Sequence, residues 1–254
     1  MKTVLRGGKL YKDGALTDNG SFEISDVTNM NDCDEKRVIE LDNSFILPSF
    51  CDVHVHFREP GFGYKETIRQ GSLAGARGGY TAVGTMPNLK PAPSDMDSLR
   101  VQQEIIDRDA VIQVIPYGTI TKDQSGTGTL SDMEGMADHV LAFSDDGKGV
   151  QDDGLMREAM NVAKSLNKLI VAHCEDESLL REGKVRESEW RQIERDLKLA
   201  DETGCGYHVC HISCKESVEV IRDAKKSGVN VTCETAPHYL VLDTEDVRKG
   251  IAEN

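Results

Sequence analysis

The stretch of sequence that decides the fold and the chemistry of this chain is Asp52-Val53-His54-Val55-His56-Phe57-Arg58-Glu59-Pro60-Gly61. Side chains alternate between two faces of an extended segment, so His54, His56 and Arg58 point the same way. Two imidazoles on one face supply half of a metal site, because histidine is a common ligand of zinc and related metals. A guanidinium one step further out would meet an anionic substrate beside that metal. Strand alternation also brings histidines together in proteins that bind no metal. Further candidate ligands elsewhere in the chain are therefore needed to support a metal site.

Three other apolar runs each end at an acidic or imidazole side chain. Residues 140–143 lead to Asp145 and Asp146, residues 169–172 lead to His173, and residues 207–210 lead to His211. Short apolar runs of this kind are typical of buried strands. In a barrel of parallel strands, the functional groups stand at the C-terminal ends of the strands. The sequence therefore predicts one metal centre, and its five ligands are His54, His56, Asp146, His173 and His211.

The chain is organised in two parts. Residues 1–48 contain short alternating segments and turn residues, which predict a small β subdomain. Over residues 49–254 strand and helix patterns alternate, which predicts an α/β fold with a TIM-type (β/α)8 barrel, and we count seven parallel strands. Such a barrel takes about 250 residues by itself. We therefore expect the barrel to be incomplete at the C-terminus, with its last strand missing. The polar residues 243–249 favour a helix start, and the edge of the sheet would be exposed after them.

Local patterns give more detailed expectations. The spacing of apolar residues predicts a helix over residues 64–77. The sequence Ser213-Cys214-Lys215-Glu216 predicts a capping box at the start of another helix, which would end at Gly228. Asp13-Gly14 and Asp18-Asn19-Gly20 are typical of tight turns between strands.

The chain is strongly acidic, with a formal net charge of -14 over 254 residues and a pI near 4.9. A long-range negative field repels nucleic acids and anionic membranes, so neither is an expected partner. The expected partner is therefore a small solute. If that solute is an anion, the local positive charge of Arg58 and of the metals must attract it.

Targeting signals and disulfide patterns are both missing from the sequence. No apolar run approaches the length of a membrane-spanning helix, and no sustained apolar segment follows the N-terminus, which favours a cytoplasmic protein. The seven cysteines are an odd number without close Cys-X-X-Cys pairs, so we expect them to be reduced and to pack in the fold.

Six short motifs follow one another at the predicted strand ends. They are His54-Val55-His56-Phe57-Arg58-Glu59-Pro60-Gly61, Met86-Pro87-Asn88, Phe143-Ser144-Asp145-Asp146-Gly147, Ala172-His173-Cys174-Glu175, His208-Val209-Cys210-His211-Ile212-Ser213 and Glu234-Thr235-Ala236-Pro237-His238. In this order they resemble the dihydroorotases of the amidohydrolase superfamily, in the bacterial form whose bridging metal ligand is an aspartate. The resemblance covers essentially the whole chain. It implies a (β/α)8 barrel beside a small β-sandwich, and reversible hydrolysis of dihydroorotate to N-carbamoyl-aspartate in de novo pyrimidine biosynthesis.

The resemblance also implies roles for particular residues. Two zinc ions per subunit are expected, one held by His54 and His56 and the other by His173 and His211. Asp146 would bridge the two ions. The substrate, a small anion, would be bound through its carboxylate by Arg58 and Asn88, and His56 would also face it.

Two features of the resembled family lack a counterpart in the sequence. Family members carry a longer loop where this chain has residues 181–187, so residues are expected to be missing near Lys184-Val185. Their last strand also delivers an aspartate that acts as general base and acid. That aspartate would follow residue 254, so the resemblance assigns the catalytic base to no residue of this chain and leaves the activity of the chain alone in question.

Two alternative interpretations share some of these features. Allantoinases and dihydropyrimidinases have the barrel and the His-X-His motif, but they usually place a carboxylated lysine where Asp146 stands and lack an arginine at the position of Arg58. Non-catalytic dihydroorotase-like scaffolds of aspartate transcarbamoylase tend to have lost the metal histidines that this chain retains. Both differences favour a dihydroorotase. The resemblance is compatible with a homodimer and with an aspartate transcarbamoylase partner.

Overall fold

The structure, a computed structural model, describes residues 2–25, 36–42, 44–243 and 245–246. It divides into two compact units, residues 1–50 and 51–254. The predicted domain boundary after residue 48 lies close to this division. The predicted helix start within 243–249 lies outside the described residues except at 243, 245 and 246, and Cys33 lies outside them altogether.

The first unit is a β-sheet in which β2 pairs with β1 antiparallel, and β3 and β4 pair with β1 parallel. The strands are β1 (Lys2–Lys12), β2 (Ala15–Ser25), β3 (Lys36–Glu40) and β4 (Phe45–Ile46). The predicted turn at Asp13-Gly14 is confirmed, with φ of 52° and 83°, as a two-residue hairpin turn requires. The predicted turn at residues 18–20 is wrong, because this segment lies inside β2. The β1–β2 register shifts around Gly8, which pairs with Gly20.

The second unit contains six strands among the described residues, in two three-stranded sheets of order β5-β6-β7 and β10-β9-β8. They are β5 (Phe50–Val55), β6 (Tyr80–Thr85), β7 (Gln113–Pro116), β8 (Ile170–Ala172), β9 (Tyr207–Val209) and β10 (Val231–Cys233). The pairs β6–β7, β8–β9 and β9–β10 are parallel. Strand and helix alternate along the chain, as expected for a partial TIM-type barrel.

The predicted strand over residues 140–143 does not form a full strand. Only Phe143 pairs, through single parallel bridges to Gly118 on one side and Ile170 on the other. The residues before it are held differently, because the Leu141 N–H donates to the Pro116 carbonyl and Lys168 binds the Val140 carbonyl. Phe143 nevertheless joins the two sheets side by side, and it delivers the segment that carries Asp146.

Helices cover the outside of the strands, as a barrel of this type requires. They are α1 (Ile68–Arg77), α2 (Met96–Asp109), α3 (Met133–Met136), α4 (Asp153–Ser165), α5 (Glu177–Arg181), α6 (Val185–Thr203), α7 (Lys215–Lys226) and α8 (Pro237–Val241), with 3-10 turns at Lys122–Gln124 and Ala137–His139. The first helix begins at Ile68 rather than residue 64, since the Thr67 side chain caps it by accepting from the Gln70 N–H.

The predicted capping box at residues 213–216 is wrong. Helix α7 begins at Lys215, and its N-cap Cys214 makes no side-chain capping bond. Ser213 instead donates from its backbone N–H to the Glu189 carboxylate of α6, at 3.0 Å, and from its hydroxyl as well. The other end agrees with the prediction, because the helix stops at Lys226 and Gly228 follows with φ of 96°.

The apolar core of the barrel lies in three clusters. The largest, which includes Phe143, Ile170 and Ile193, packs the sheet β8-β9-β10 against the helices that cover it. A smaller cluster fills the barrel interior, and its members are Met86, Tyr117, Ala142, Val171 and Cys210. The described cysteines are all unbridged. Within the described part of the chain, no helix is both long and apolar enough to cross a membrane.

Candidate metal centre

The five predicted ligands all stand at the C-terminal ends of the strands. His54 is the penultimate residue of β5 and His56 follows that strand, while His173 directly follows β8. Asp146 comes three residues after the bridging Phe143, and His211 comes two residues after β9 with φ of 35°. A left-handed conformation is strained for a non-glycine residue and is typical of functional sites.

The structure brings all five side chains together around the buried carboxylate of Asp146. His54 Nε2 lies 3.6 Å and His211 Nε2 lies 3.3 Å from Asp146 Oδ1. His56 Nε2 lies 3.6 Å from Oδ2, and His173 Nδ1 lies 3.9 Å from Oδ1. Four imidazoles from both sheets therefore face one carboxylate.

The donor atoms fit bound cations. His54 Nε2 lies 3.3 Å from His56 Nε2, and His173 Nδ1 lies 3.1 Å from His211 Nε2, so ring nitrogens face each other in two pairs. The Nδ1 atom of His56 is buried and has no hydrogen-bond partner in the described structure. Imidazole nitrogens and a carboxylate within this reach form the donor set that zinc and similar divalent metals prefer.

Electrostatics puts Asp146 and His56 in the protonation states that bind cations, whereas at His211 burial is outweighed by the hydrogen bond and charge of Asp146, which raise its pKa. Burial alone would raise the pKa of Asp146, but the His211 hydrogen bond and the neighbouring histidines hold it well below its usual range. Burial lowers the pKa of His56 to about 4, against the attraction of Asp146. At neutral pH the carboxylate is therefore ionised and the His56 ring is neutral, as metal ligands must be.

Three further groups at the centre were not predicted from the sequence. Cys210 is buried, and its sulfur lies within 4.8 Å of ligand atoms of His54 and Asp146. Glu234 Oε1 lies 2.5 Å from His54 Nδ1, and Glu175 Oε2 lies 2.7 Å from His173 Nε2. Both glutamates are in the motifs quoted above, and their position just past a strand end was the available signal.

The charge states of the two glutamates follow from these contacts. Burial would raise the pKa of Glu234, but hydrogen bonds from His208 and His54 lower it to about 2. The hydrogen bond from His173 lowers the pKa of the half-exposed Glu175. His208, for which no ligand role was predicted, lies with Nε2 3.4 Å from Glu234 Oε2.

The two predicted carboxylate-binding residues lie beside the metal ligands. Arg58 is half-buried two residues after His56, and its guanidinium makes no ion pair with any residue that the structure describes. Asn88 points its side-chain amide at the Asp146 backbone, with Nδ2 donating to the carbonyl oxygen at 2.5 Å. Its Oδ1 atom is buried without a partner among the described residues. Asn88 thus helps to fix the Asp146 segment.

A cavity of about 360 Å³ opens over the histidines. Its lining consists of Asp52, His54, His56, His211, Glu234 and residues 235–239, the last three of which belong to α8. Arg58 and Asn88 are not part of this lining. This volume suits a small solute. The ligand atoms of β5 and β9 therefore face a space in which a small molecule can bind.

Comparison with known proteins places this geometry in a family. The family model described as dihydro-orotase-like matches residues 43–217. A curated dihydroorotase of Fusobacterium nucleatum is 47% identical over 97% of this chain and 61% of its own length. A curated dihydroorotase of Bacillus licheniformis is 45% identical over 95% of this chain and 59% of its own length. The chain thus spans about 60% of the length of these relatives.

Solved structures show the same fold at low sequence identity. The L-hydantoinase (dihydropyrimidinase) of Arthrobacter aurescens matches with a TM-score of 0.82 and 20% identity, over 97% of this chain and 61% of that one. A D-hydantoinase matches with a TM-score of 0.78 and 21% identity, over 98% of this chain and 60% of that one. The sequence relatives go further than the fold, and with the family match they show that this chain belongs to the dihydroorotase-like family.

Proposed function

We propose that this protein is a metal-dependent cyclic amidohydrolase that interconverts dihydroorotate and N-carbamoyl-aspartate in pyrimidine synthesis. The observation that carries the proposal is the convergence of four histidines on Asp146. Arg58 lies two residues after His56, close enough for its charge to lower the pKa of that histidine, and makes no ion pair among the described residues. Metal ligands alone would suit many hydrolases. The cation next to them favours a substrate that carries a carboxylate.

Two zinc ions are the proposed cofactor. His54 and His56 would hold one ion, His173 and His211 the other, and the Asp146 carboxylate would bridge them. When bound, such ions supply Lewis acidity for the ring carbonyl and lower the pKa of the attacking water. The chain contributes the ligand geometry, since Asn88 and Gln124 both donate to the Asp146 carbonyl oxygen, at 2.5 and 2.6 Å, and so fix that residue from behind.

Substrate binding is assigned to Arg58, with Asn88 and His56 beside it. A guanidinium binds a carboxylate through two parallel N–H bonds, which fixes the orientation of the ring as well as holding it. Because the whole chain carries a net charge of -14, this local charge must overcome a field that repels the substrate. We therefore expect Arg58 to dominate recognition of the anion.

Three other predictions rest on the family resemblance alone, and a fourth rests on the sequence. The general base and acid is proposed to be an aspartate that follows residue 254. A homodimer, an aspartate transcarbamoylase partner and a cytoplasmic location also stay predictions.

The proposal is tested with a pair of substrates that differ in one group. Dihydroorotate carries a carboxylate, and dihydrouracil has the same ring without it. In the zinc-loaded protein, Arg58→Ala is expected to weaken dihydroorotate binding by about 2–5 kcal/mol, measured by isothermal titration calorimetry, and to leave bound zinc unchanged. Arg100→Ala, which removes an exposed arginine of α2, is the matched control.

The outcome separates the proposal from its main alternative. If the protein binds dihydrouracil at least as tightly as dihydroorotate, and Arg58→Ala changes neither affinity, the site prefers a ring without the carboxylate, which favours a hydantoinase or dihydropyrimidinase. A chain that binds no zinc contradicts the metal assignment and favours a non-catalytic scaffold.

A further inference from the structure

The outer nitrogen of His54 is held by a carboxylate. Glu234 Oε1 lies 2.5 Å from His54 Nδ1, on the side of the ring opposite Asp146. An ionised carboxylate can only accept a hydrogen bond, so Nδ1 carries the proton and Nε2 of the neutral ring keeps its lone pair. That Nε2 atom is the one that lies 3.6 Å from Asp146 Oδ1.

His173 is held in the same way but in the opposite tautomer. Its Nε2 atom lies 2.7 Å from Glu175 Oε2, so Nε2 carries the proton. The lone pair is then on Nδ1, which lies 3.1 Å from His211 Nε2 and 3.9 Å from Asp146 Oδ1. Each predicted cation thus has one histidine whose tautomer is set by a glutamate.

The two glutamates differ in how firmly they are held. The Glu234 side chain is 19% exposed, and its Oε2 atom also faces His208 Nε2 at 3.4 Å. Its backbone is fixed to the end of β9, because Glu234 N–H donates to Val209 and its carbonyl accepts from Ile212. The Glu175 side chain is 39% exposed. A hydrogen bond that is better shielded from water is stronger, so the effect of Glu234 should be the larger one.

We propose that Glu234 and Glu175 are positioning residues that fix the tautomers of His54 and His173, one for each of the two cations. The inference rests on the two-metal site of the proposed function. In this arrangement each glutamate would act through its histidine rather than as a ligand of the cation. Each holds the proton on the far side of its histidine, so that the near nitrogen presents its lone pair and the ring keeps its orientation.

The first test uses the metal-free protein. Imidazole ¹⁵N chemical shifts distinguish a protonated ring nitrogen from one with a lone pair, and the signals are assigned with His54→Asn and His173→Asn. In the wild type we expect His54 protonated at Nδ1 and His173 at Nε2. Glu234→Gln should weaken the preference of His54 alone, and Glu175→Gln that of His173 alone. A role in folding alone would not produce this selective change.

The second test is zinc binding by the intact chain. Glu234→Gln should weaken the binding of one zinc ion by about 10–100-fold and leave the affinity for the other near the wild-type value. Glu175→Gln should weaken the binding of the other ion, by a smaller factor. Glu104→Gln, which changes an exposed glutamate of α2, is the matched control. Wild-type affinity in both glutamine variants, or histidine tautomers that do not respond to them, overturns the proposal. Failure of the proposed function would appear instead as equal binding of dihydroorotate and dihydrouracil, a readout that neither test uses.

Discussion

At the scale of single residues, Gly71 determines how the metal-binding segment packs. Phe57 directly follows His56, and its buried ring lies against α1. A Cβ atom at Gly71 would lie 2.2 Å from Phe57 Cε1, which is far inside van der Waals contact. Only glycine allows this helix to approach so closely, so the packing of Phe57 on α1 anchors the strand end that presents His56.

Gly71→Ala is therefore expected to destabilise the barrel unit. Alanine gains about 1 kcal/mol in helix propensity, but overpacking of a buried ring typically costs about 1–3 kcal/mol, and the severe overlap here puts the cost at the upper end. The midpoint of urea unfolding, followed by fluorescence of the single tryptophan Trp190, measures the difference. Gln70→Ala, an exposed change in the same helix, is the control. A Gly71→Ala variant as stable as the control would contradict the close packing.

The sequence could predict which residues meet at the centre but not how they meet. Alternation along β5 and the ends of β8 and β9 were enough to bring His54, His173 and His211 to one place. The contacts of Glu175 and Glu234 depend on side-chain rotamers, which no spacing rule contains. The amide of Asn88 was predicted to bind substrate, and the described structure shows it donating to the Asp146 carbonyl.

At the scale of elements, helix α6 shows why a pattern can be missed. It is 19 residues long, and none of the sequence patterns above predicted it. Its buried face includes Ser188, Gln192 and Asp196 as well as apolar residues. The spacing of apolar residues in the sequence therefore marks only part of the buried face of this helix. Asp196 is buried because Tyr207 donates to it at 2.6 Å and the neighbouring Arg195 pairs with it. Those partners come from the fold, and a local pattern does not reveal them.

Helix caps provide a second example at this scale. A capping box is present at α2, where the Asp95 side chain accepts from the Ser98 N–H and the Ser98 hydroxyl oxygen accepts from the Asp95 N–H. The predicted box at residues 213–216 does not form, because Ser213 donates its hydrogen bond to the Glu189 carboxylate of the neighbouring α6. A tertiary partner therefore prevented the capping box that Ser213-Cys214-Lys215-Glu216 predicted, whereas the box at α2 formed without the glutamate or glutamine that the rule requires.

Asp95→Ala is expected to destabilise the barrel unit by about 1 kcal/mol, the usual value of an N-cap. The hydrogen bonds from Ser98 lower the pKa of Asp95, so its stabilisation is present above the unfolded pKa and is lost as the pH falls through the folded one. The difference between wild type and variant should thus shrink in acid. Unfolding midpoints at pH 7 and below pH 3 measure it, with Glu104→Ala as the control. A difference that is the same at both pH values would contradict the capping role of the carboxylate.

At the scale of the whole barrel unit, the candidate metal centre draws its side chains from both sheets. The strand orders β5-β6-β7 and β10-β9-β8 meet at Phe143 on one side and leave β5 and β10 at the outer edges. The contact between His54 and Glu234 spans from β5 to the end of β10. His54 and His56 belong to the first sheet, whereas His173 and His211 belong to the second. Strand and helix alternation predicted this barrel. The division into two sheets was not predicted, because it arises where Phe143 makes only single bridges to Gly118 and Ile170 in place of a full strand.

Zinc is therefore expected to stabilise the barrel unit as a whole, because ligands from both sheets come together only in the folded state. Binding to the native state alone adds about 4 kcal/mol when free zinc exceeds the dissociation constant a thousandfold. Urea unfolding followed by Trp190 fluorescence, with zinc and with a chelator, measures this increment. Asp146→Asn should lose most of it, since the one carboxylate shared by all four histidines is gone, whereas Glu104→Gln should keep it. An increment that is equal in Asp146→Asn and wild type would show that zinc binds elsewhere and that the five residues do not form the centre.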